Sequence, residues 1–189
     1  MKRKGGKGLK YILIFAVCVA VVVLILGNSA RLMFPLKYGE YISKYSSRSD
    51  VDPFLVLAII KVESNFDPKA VSSKKARGLM QISEKTGEWG ARVLQLGGYK
   101  QDSLFDPETN ISIGSWYLDV LYKEFNGDTR LVLAAYNGGS GNVNEWLKNR
   151  SYSSSGKSLD RIPFRETEQY VGKVMNCRAI YKKLYENAF

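Results

Sequence analysis

The chain opens with one unbroken apolar run and then changes to shorter apolar stripes in helical spacing, each bounded by polar turn residues. Residues 11–27, YILIFAVCVAVVVLILG, carry no charge. About 17 such residues rise roughly 25 Å as a helix, just long enough to span a bilayer. The next run has a well-marked start: Asp52 suits an N-cap, Pro53 the first helical position, and Val51 and Val56 the spacing of a hydrophobic staple. A helix is predicted from residue 52, and Asn65, Asp67 and Pro68 stop it. A second start, Asp106-Pro107, leads a stripe of Ile111, Gly114, Leu118, Leu121 and Phe125 to a stop at Asn126-Gly127. Asp128 or Thr129 can cap a short helix through Leu131, Val132, Ala134 and Ala135, which ends at Tyr136-Asn137-Gly138-Gly139. A last helix is predicted over residues 166–187 from Tyr170, Val171, Val174, Met175, Ile180, Tyr181 and Leu184.

Residues 31–47 read as a juxtamembrane helix opened by Pro35, with Leu36, Tyr38, Tyr41, Ile42 and Tyr45 in near-helical spacing. Residues 151–160, SYSSSGKSLD, lack periodicity and read as a mobile polar loop. There is neither an alternating strand pattern of useful length nor an internal repeat. The predicted fold class is mainly α: several short helices around one core in residues 48–189, preceded by one N-terminal transmembrane helix over 11–27.

Charge adds a topology. Lys2, Arg3, Lys4, Lys7 and Lys10 make residues 1–10 a basic tail. The positive-inside rule keeps such a tail in the cytoplasm and puts everything after the span outside. A cleaved signal peptide has a similar opening, with Ala30 as the last residue before the cut. Asn28 fits that site poorly and the apolar run is longer than a signal core, so an uncleaved anchor is favoured. Cys18 reads as a membrane-facing cysteine, because Val17 precedes it where a lipid-attachment site wants a small residue. The net charge is +10, half of it from the basic tail, and the remaining cations are scattered. Outside a membrane the polyanions such a surface meets are anionic lipids and cell-wall polymers, so nucleic acid is not an expected partner.

Composition also excludes chemistries. With no histidine in the chain, Ser-His-Asp and Cys-His nucleophile systems are absent. Cys177 is the only cysteine beyond the apolar run, so no intramolecular disulfide is available to the folded domain. Catalysis here must rest on carboxylates, hydroxyls or amides. Glu63 is the candidate acid. Ile59 and Ile60 lie one turn before it and Phe66 three residues after it. An apolar setting and the negative end of a helix both raise a carboxyl pKa, which makes a glutamate a proton donor near neutral pH. An ordinary helix-end glutamate facing solvent is the open alternative on these residues alone.

Four landmarks follow in order: Glu63-Ser64, Gly78-Leu79-Met80-Gln81, the AAYNGG segment at 134–139, and IPFRETEQYV at 162–171. Together they resemble the catalytic domain of the soluble lytic transglycosylases, the lysozyme-like family 23 of glycoside hydrolases, over roughly residues 44–185. The resemblance implies that Glu63 is catalytic and that Ser64 belongs to the same motif beside the substrate. It implies that Gln81 hydrogen-bonds the sugar, that Gly78 permits close backbone approach, and that Ser72 contacts substrate. Tyr136 and Asn137 match the tyrosine and asparagine that approach the acid and shape the groove. Glu166 and Tyr170 match residues bordering the sugar site. Gly138 and Ser140, Ser83-Glu84, and Glu168 depart from the commoner family residues at their positions, and these departures bear on subsite preference.

The implied substrate is the glycan strand of peptidoglycan, and no metal or organic cofactor is implied. The implied reaction uses one carboxylate. Glu63 protonates the oxygen between N-acetylmuramic acid and N-acetylglucosamine, then deprotonates the muramyl 6-hydroxyl to leave a 1,6-anhydro end. Two alternatives stand beside it. One is a hydrolytic muramidase on the same scaffold, with Asp67 or Glu84 orienting water; the other is a non-catalytic wall-binding or assembly protein.

Overall fold

A computed structural model of the chain describes residues 6–189, apart from the side chains of residues 6–9, 20 and 22–28. It divides after Leu36 into two units. The first holds α1, Gly6–Met33. Among the described residues, no helix is long and apolar enough to cross a membrane. The span expected over residues 11–27 is thus not found among them, and its residues 20 and 22–27 lie outside the described side chains, as does most of the basic tail at 1–10.

The second unit carries α2 (Gly39–Arg48), α3 (Pro53–Ser64), α4 (Glu84–Val93), a 3-10 turn (Gln101–Phe105), α5 (Pro107–Glu124), α6 (Thr129–Gly138), α7 (Ser140–Lys148) and α8 (Arg165–Leu184). Among the described residues there is no strand, only isolated bridges pairing Val71 with Arg77 and Arg77 with Ile82. The helix expected over 31–47 is corrected. Residues 34–38 lie outside any helix, and Tyr38, at φ 58, is the left-handed entry to α2.

Two buried helices organise the core. Every residue of α3 from Phe54 to Ile60 is buried, and so is every residue of α6 from Leu131 to Ala135. Helices apolar on all sides belong in the middle of a fold, and each fully buried Leu or Ile there contributes about 1.5–3 kcal/mol. The long α8 packs on both. Asp52 joins two of these elements: one carboxylate oxygen accepts from Phe54 N at 2.9 Å to cap α3, and the other pairs with Arg178 of α8 at 2.5 Å.

The Ser-rich segment 151–160 is internally bonded. Ser153, itself buried, donates to Ser158 O at 2.6 Å and accepts from Gly156 N at 2.9 Å, while Asp160 accepts from Ser154 N at 2.7 Å. Hydroxyls satisfying nearby backbone groups replace the periodic packing that the segment lacks.

Candidate active site

Glu63 sits in the last turn of α3, just before the chain reverses through two left-handed residues, Asn65 at φ 50 and Phe66 at φ 66. Asparagine tolerates that conformation, and Phe66 is held in it by burial. The reversal sends residues 67–83 back along the end of α3 as a folded loop. Glu63 faces a cleft of about 210 Å3 lined also by Ser72, Gln81, Tyr136, Asn137 and Glu166. A second section of groove, about 330 Å3, shares Gln81, Tyr136 and Asn137 and continues past Ser83, Thr86 and Tyr117.

Burial raises the Glu63 carboxyl from the usual glutamate range to about 7. The Tyr170 hydroxyl, on the facing α8, opposes that rise weakly. This hydroxyl is buried and has no hydrogen-bond partner of full geometry, so its contact with the acid is close but loose. Charge on Glu63 in turn pushes the Tyr136 and Tyr170 phenols further up than burial already does. Neither tyrosine can donate its proton away near neutral pH. The solvent-facing alternative for Glu63 does not describe this carboxyl, which lines a cleft and is largely enclosed.

The loop carrying Gly78 to Gln81 is clamped from three sides. Asn110, fully buried on α5, accepts from Met80 N at 2.8 Å and donates to Arg77 O at 2.9 Å and Leu104 O at 2.8 Å. Tyr136 donates to Met80 O at 2.7 Å. Ser64 donates to Leu79 O at 2.8 Å, with Ile60 O at 3.1 Å as the alternative acceptor. Ser64 therefore turns inward to join α3 to the loop and is not among the residues lining the cleft.

The other expected contacts are placed in detail. Gln81, at φ 49, donates its amide nitrogen to Gly78 O at 2.9 Å and Ala70 O at 3.1 Å. Its carbonyl oxygen is the atom left to a ligand, so Gln81 can accept from a hydroxyl but not donate. Ser72 accepts from Ala76 N at 3.0 Å and keeps its own proton for donation. Asn137 accepts from Thr167 at 2.8 Å, which fixes its amide and leaves the NH2 group for the groove. Glu166 is exposed in the first turn of α8 at the cleft edge. Tyr170 lies behind Glu63, not on the cleft wall. The close approach at Gly78 is made to Leu104 and Asn110, not to the groove.

Sequence reasoning missed Asn110 and Tyr117, and it placed Thr167 in the last landmark without giving it a role. A signal existed for the first two. Asn110, Gly114 and Tyr117 fall at helical i, i+4 and i+7 spacing on α5, and a Cβ at Gly114 would lie 2.3 Å from the Met80 sulfur. That one face of α5 carries a polar clamp, a gap and an aromatic ring in succession. Of the departures from family residues, Ser83 accepts from Thr86 N at 3.2 Å and caps α4. A Cβ at Gly138 would press on Thr167 Oγ1 at 3.2 Å, so the smaller residue gives the Asn137–Thr167 pair room.

What the arrangement can do is deliver one proton. A largely enclosed acid poised near neutral pH faces a groove whose other polar groups are mostly amides and hydroxyls, with the Glu166 carboxylate and Lys74 at the cleft. The chain is 36% identical over 151 residues to the soluble lytic murein transglycosylase of Escherichia coli strain K12, covering 79% of this chain and 23% of that protein. It is 31% identical over 180 residues to the membrane-bound lytic murein transglycosylase C of Edwardsiella ictaluri, covering 78% and 47%. The crystal structure of the 70 kDa soluble lytic transglycosylase from Escherichia coli superposes with a TM-score of 0.73 at 34% identity, covering 82% of this chain and 25% of that one. The chain thus spans less than half the length of these relatives. Residues 40–158 match the transglycosylase SLT domain model, and with a helical, lysozyme-like fold closing around Glu63 the chain belongs to that family of lytic transglycosylases.

Proposed function

We propose that this protein is a membrane-anchored lytic transglycosylase of the family 23 type. It cleaves the β-1,4 bond between N-acetylmuramic acid and N-acetylglucosamine in peptidoglycan and leaves 1,6-anhydro ends. The observation that carries this reading is that Glu63 lines an open cleft yet keeps its proton up to about pH 7. Such a group gives its proton to the glycosidic oxygen as the C1–O bond breaks, and N-acetylglucosamine departs with a free 4-hydroxyl. The N-acetyl carbonyl of the muramyl residue stabilises the cationic C1. The Glu63 carboxylate then removes the proton of the muramyl 6-hydroxyl, whose oxygen closes onto C1. No water enters the products, and Glu63 ends protonated as it began. Holding both reacting groups on one sugar supplies a large proximity advantage. The Gln81 carbonyl, the Asn137 NH2 group and the Ser72 hydroxyl are assigned to orienting the sugars, with Glu166 and Tyr136 bordering the site.

Hydrolysis is the second reading, because Glu166 lines the same cleft as Glu63 and is a carboxylate. Asp67 and Glu84, the expected water-orienting groups of a muramidase, are not among the cleft residues. Mass spectrometry of peptidoglycan digested by the purified protein is expected to show anhydro-muramyl ends. Products heavier by one water, ending in reducing sugars, would reject transglycosylation.

Anchoring through residues 11–27 is supported by the uncharged run inside α1 and by a relative named as membrane-bound. It places the N-terminus in the cytoplasm and the catalytic domain outside the cell membrane, against the wall. Alkaline carbonate extraction is expected to leave the protein in the membrane pellet, and release into the supernatant would defeat single-pass anchoring.

A further inference from the structure

A chain of aromatic rings adjoins the polar groove through Tyr117. Tyr136 contacts Tyr117 with ring centroids 5.7 Å apart, and Tyr117 contacts both Trp116 and Trp89 at 6.4 Å. Trp89 meets Trp116 edge to face at 4.8 Å and 84°. Tyr117 and Thr86 are groove residues, and Trp89 lies three positions after Thr86 on α4, one turn along the same face. The chain of rings therefore leads from the acid's neighbour Tyr136 through the groove residue Tyr117 to Trp116 and Trp89, which adjoin the groove without lining its polar part.

Its outer end is built but not covered. At Gly90 a Cβ would fall 3.0 Å from two Trp116 ring atoms, so the glycine lets the Trp116 ring seat directly against α4. Trp89 stands on that ring and is still 44% exposed. A large aromatic side chain left in water beside a ligand groove is the informative kind of exposure, unlike a lone surface leucine. Pyranose rings present C–H faces that pack on indole, and their hydroxyl edges remain in solvent. Polar groups near the acid with aromatic surface farther out is an arrangement suited to a polymer of sugars.

We propose that Trp89, floored by Trp116, is a distal stacking subsite for a sugar of the same glycan strand, several residues from the bond that Glu63 cleaves. This rests on the glycan-cleaving reading above and deepens it: the protein selects long strands over short oligosaccharides. Trp116 and Tyr117 position Trp89, and Trp89 touches the sugar.

The test uses the full-length chain carrying Glu63→Gln, so that strands are bound but not cut. Peptide-free MurNAc-GlcNAc strands, long ones and a tetrasaccharide, are titrated while tryptophan fluorescence is followed. Long strands are expected to bind more tightly and to perturb the emission more. Adding Trp89→Ala is expected to lower long-strand affinity about three- to tenfold more than tetrasaccharide affinity. Trp89→Tyr should restore most of that loss and Trp89→Leu should not. Restoration by leucine would show that only apolar packing on Trp116 matters, and a long-to-short ratio equal in all variants would also overturn the subsite. Wild-type protein that leaves the strands uncut rejects the catalytic reading, while the binding ratio still decides the subsite; absence of binding to any strand rejects both.

Discussion

Glu63→Gln is expected to lower glycan cleavage by about 10^3-fold or more while leaving the fold intact. General acid–base groups each contribute about 10^2–10^4-fold, and here one carboxyl acts first as acid and then as base. Glutamine matches its shape and cannot carry a proton between the two steps. Residual activity near that of the wild type, measured as muropeptide release from sacculi, would remove Glu63 from the mechanism. The wild-type protein should also show kcat/KM falling as pH rises through about 7, because the reacting form of the free protein holds the proton.

The same substitution carries a stability signature whose sign is fixed. Burial raises the folded-state pKa of Glu63 from 4.5 to about 7. Below 4.5 the group is protonated in both states and costs nothing. As pH rises from 4.5 to 7 the unfolded chain loses a proton that the folded one retains, so stability falls, and above 7 the penalty is complete at on the order of 3 kcal/mol. Glutamine removes that penalty. Glu63→Gln is therefore expected to raise Tm at pH 8 by several degrees, at about 2–4 °C per kcal/mol for a domain of this size, and to change it little at pH 4. A gain of equal size at both pH values would mean that burial of the charge is not what perturbs this group.

Much of this site is readable because its residues stand at helix ends that announce themselves locally. Asp52, Asp106 and Asp128 cap α3, α5 and α6 through bonds to Phe54, Thr109 and Arg130 N. Each bond needs only neighbouring residues, so sequence suffices to locate it. Glu63 and Tyr136 lie at the far ends of two of these helices, and their positions follow. Helices α4 and α7 escape the same reading. The α4 segment, EKTGEWGARV, has two glycines and only Trp89 and Val93 as large apolar residues, and it is held by packing against α5. The α7 helix starts after Gly139 at φ 89, so α6 and α7 are separated by one residue inside a segment that reads as an extended turn. Ser64 shows a different limit. A hydroxyl in the last helical turn can face either way, and only the arrival of Leu79 O settles that it turns inward. Asn110 is one polar residue ahead of an apolar stripe until backbone groups of Arg77, Met80 and Leu104 converge on it.

Gly78→Ala should produce the largest loss of stability of any single-methyl change in the site. Gly78 has φ +75, and its added Cβ would lie 2.1 Å from Leu104 O and 2.3 Å from Asn110 Nδ2. The left-handed conformation alone costs an alanine about 1–2 kcal/mol. Steric relief must then come from moving a backbone carbonyl or from displacing Asn110. Displacing Asn110 breaks its bonds to Met80 N, Arg77 O and Leu104 O together and leaves buried polar groups unpaired. The combined loss is expected at about 3–5 kcal/mol. Gly98 supplies the comparison: its φ is +70, and a Cβ there meets nothing within 4 Å. Gly98→Ala should cost only the conformational part, about 1–2 kcal/mol. Denaturant unfolding of the two variants separates the contributions, and equal midpoints would mean that the contact among Gly78, Leu104 and Asn110 is not tight. Because Met80 O receives the Tyr136 hydroxyl and Gln81 follows directly, displacement of this loop also moves the groove wall. Gly78→Ala should therefore lose cleavage at temperatures where it is still folded, whereas Gly98→Ala should lose it only on unfolding.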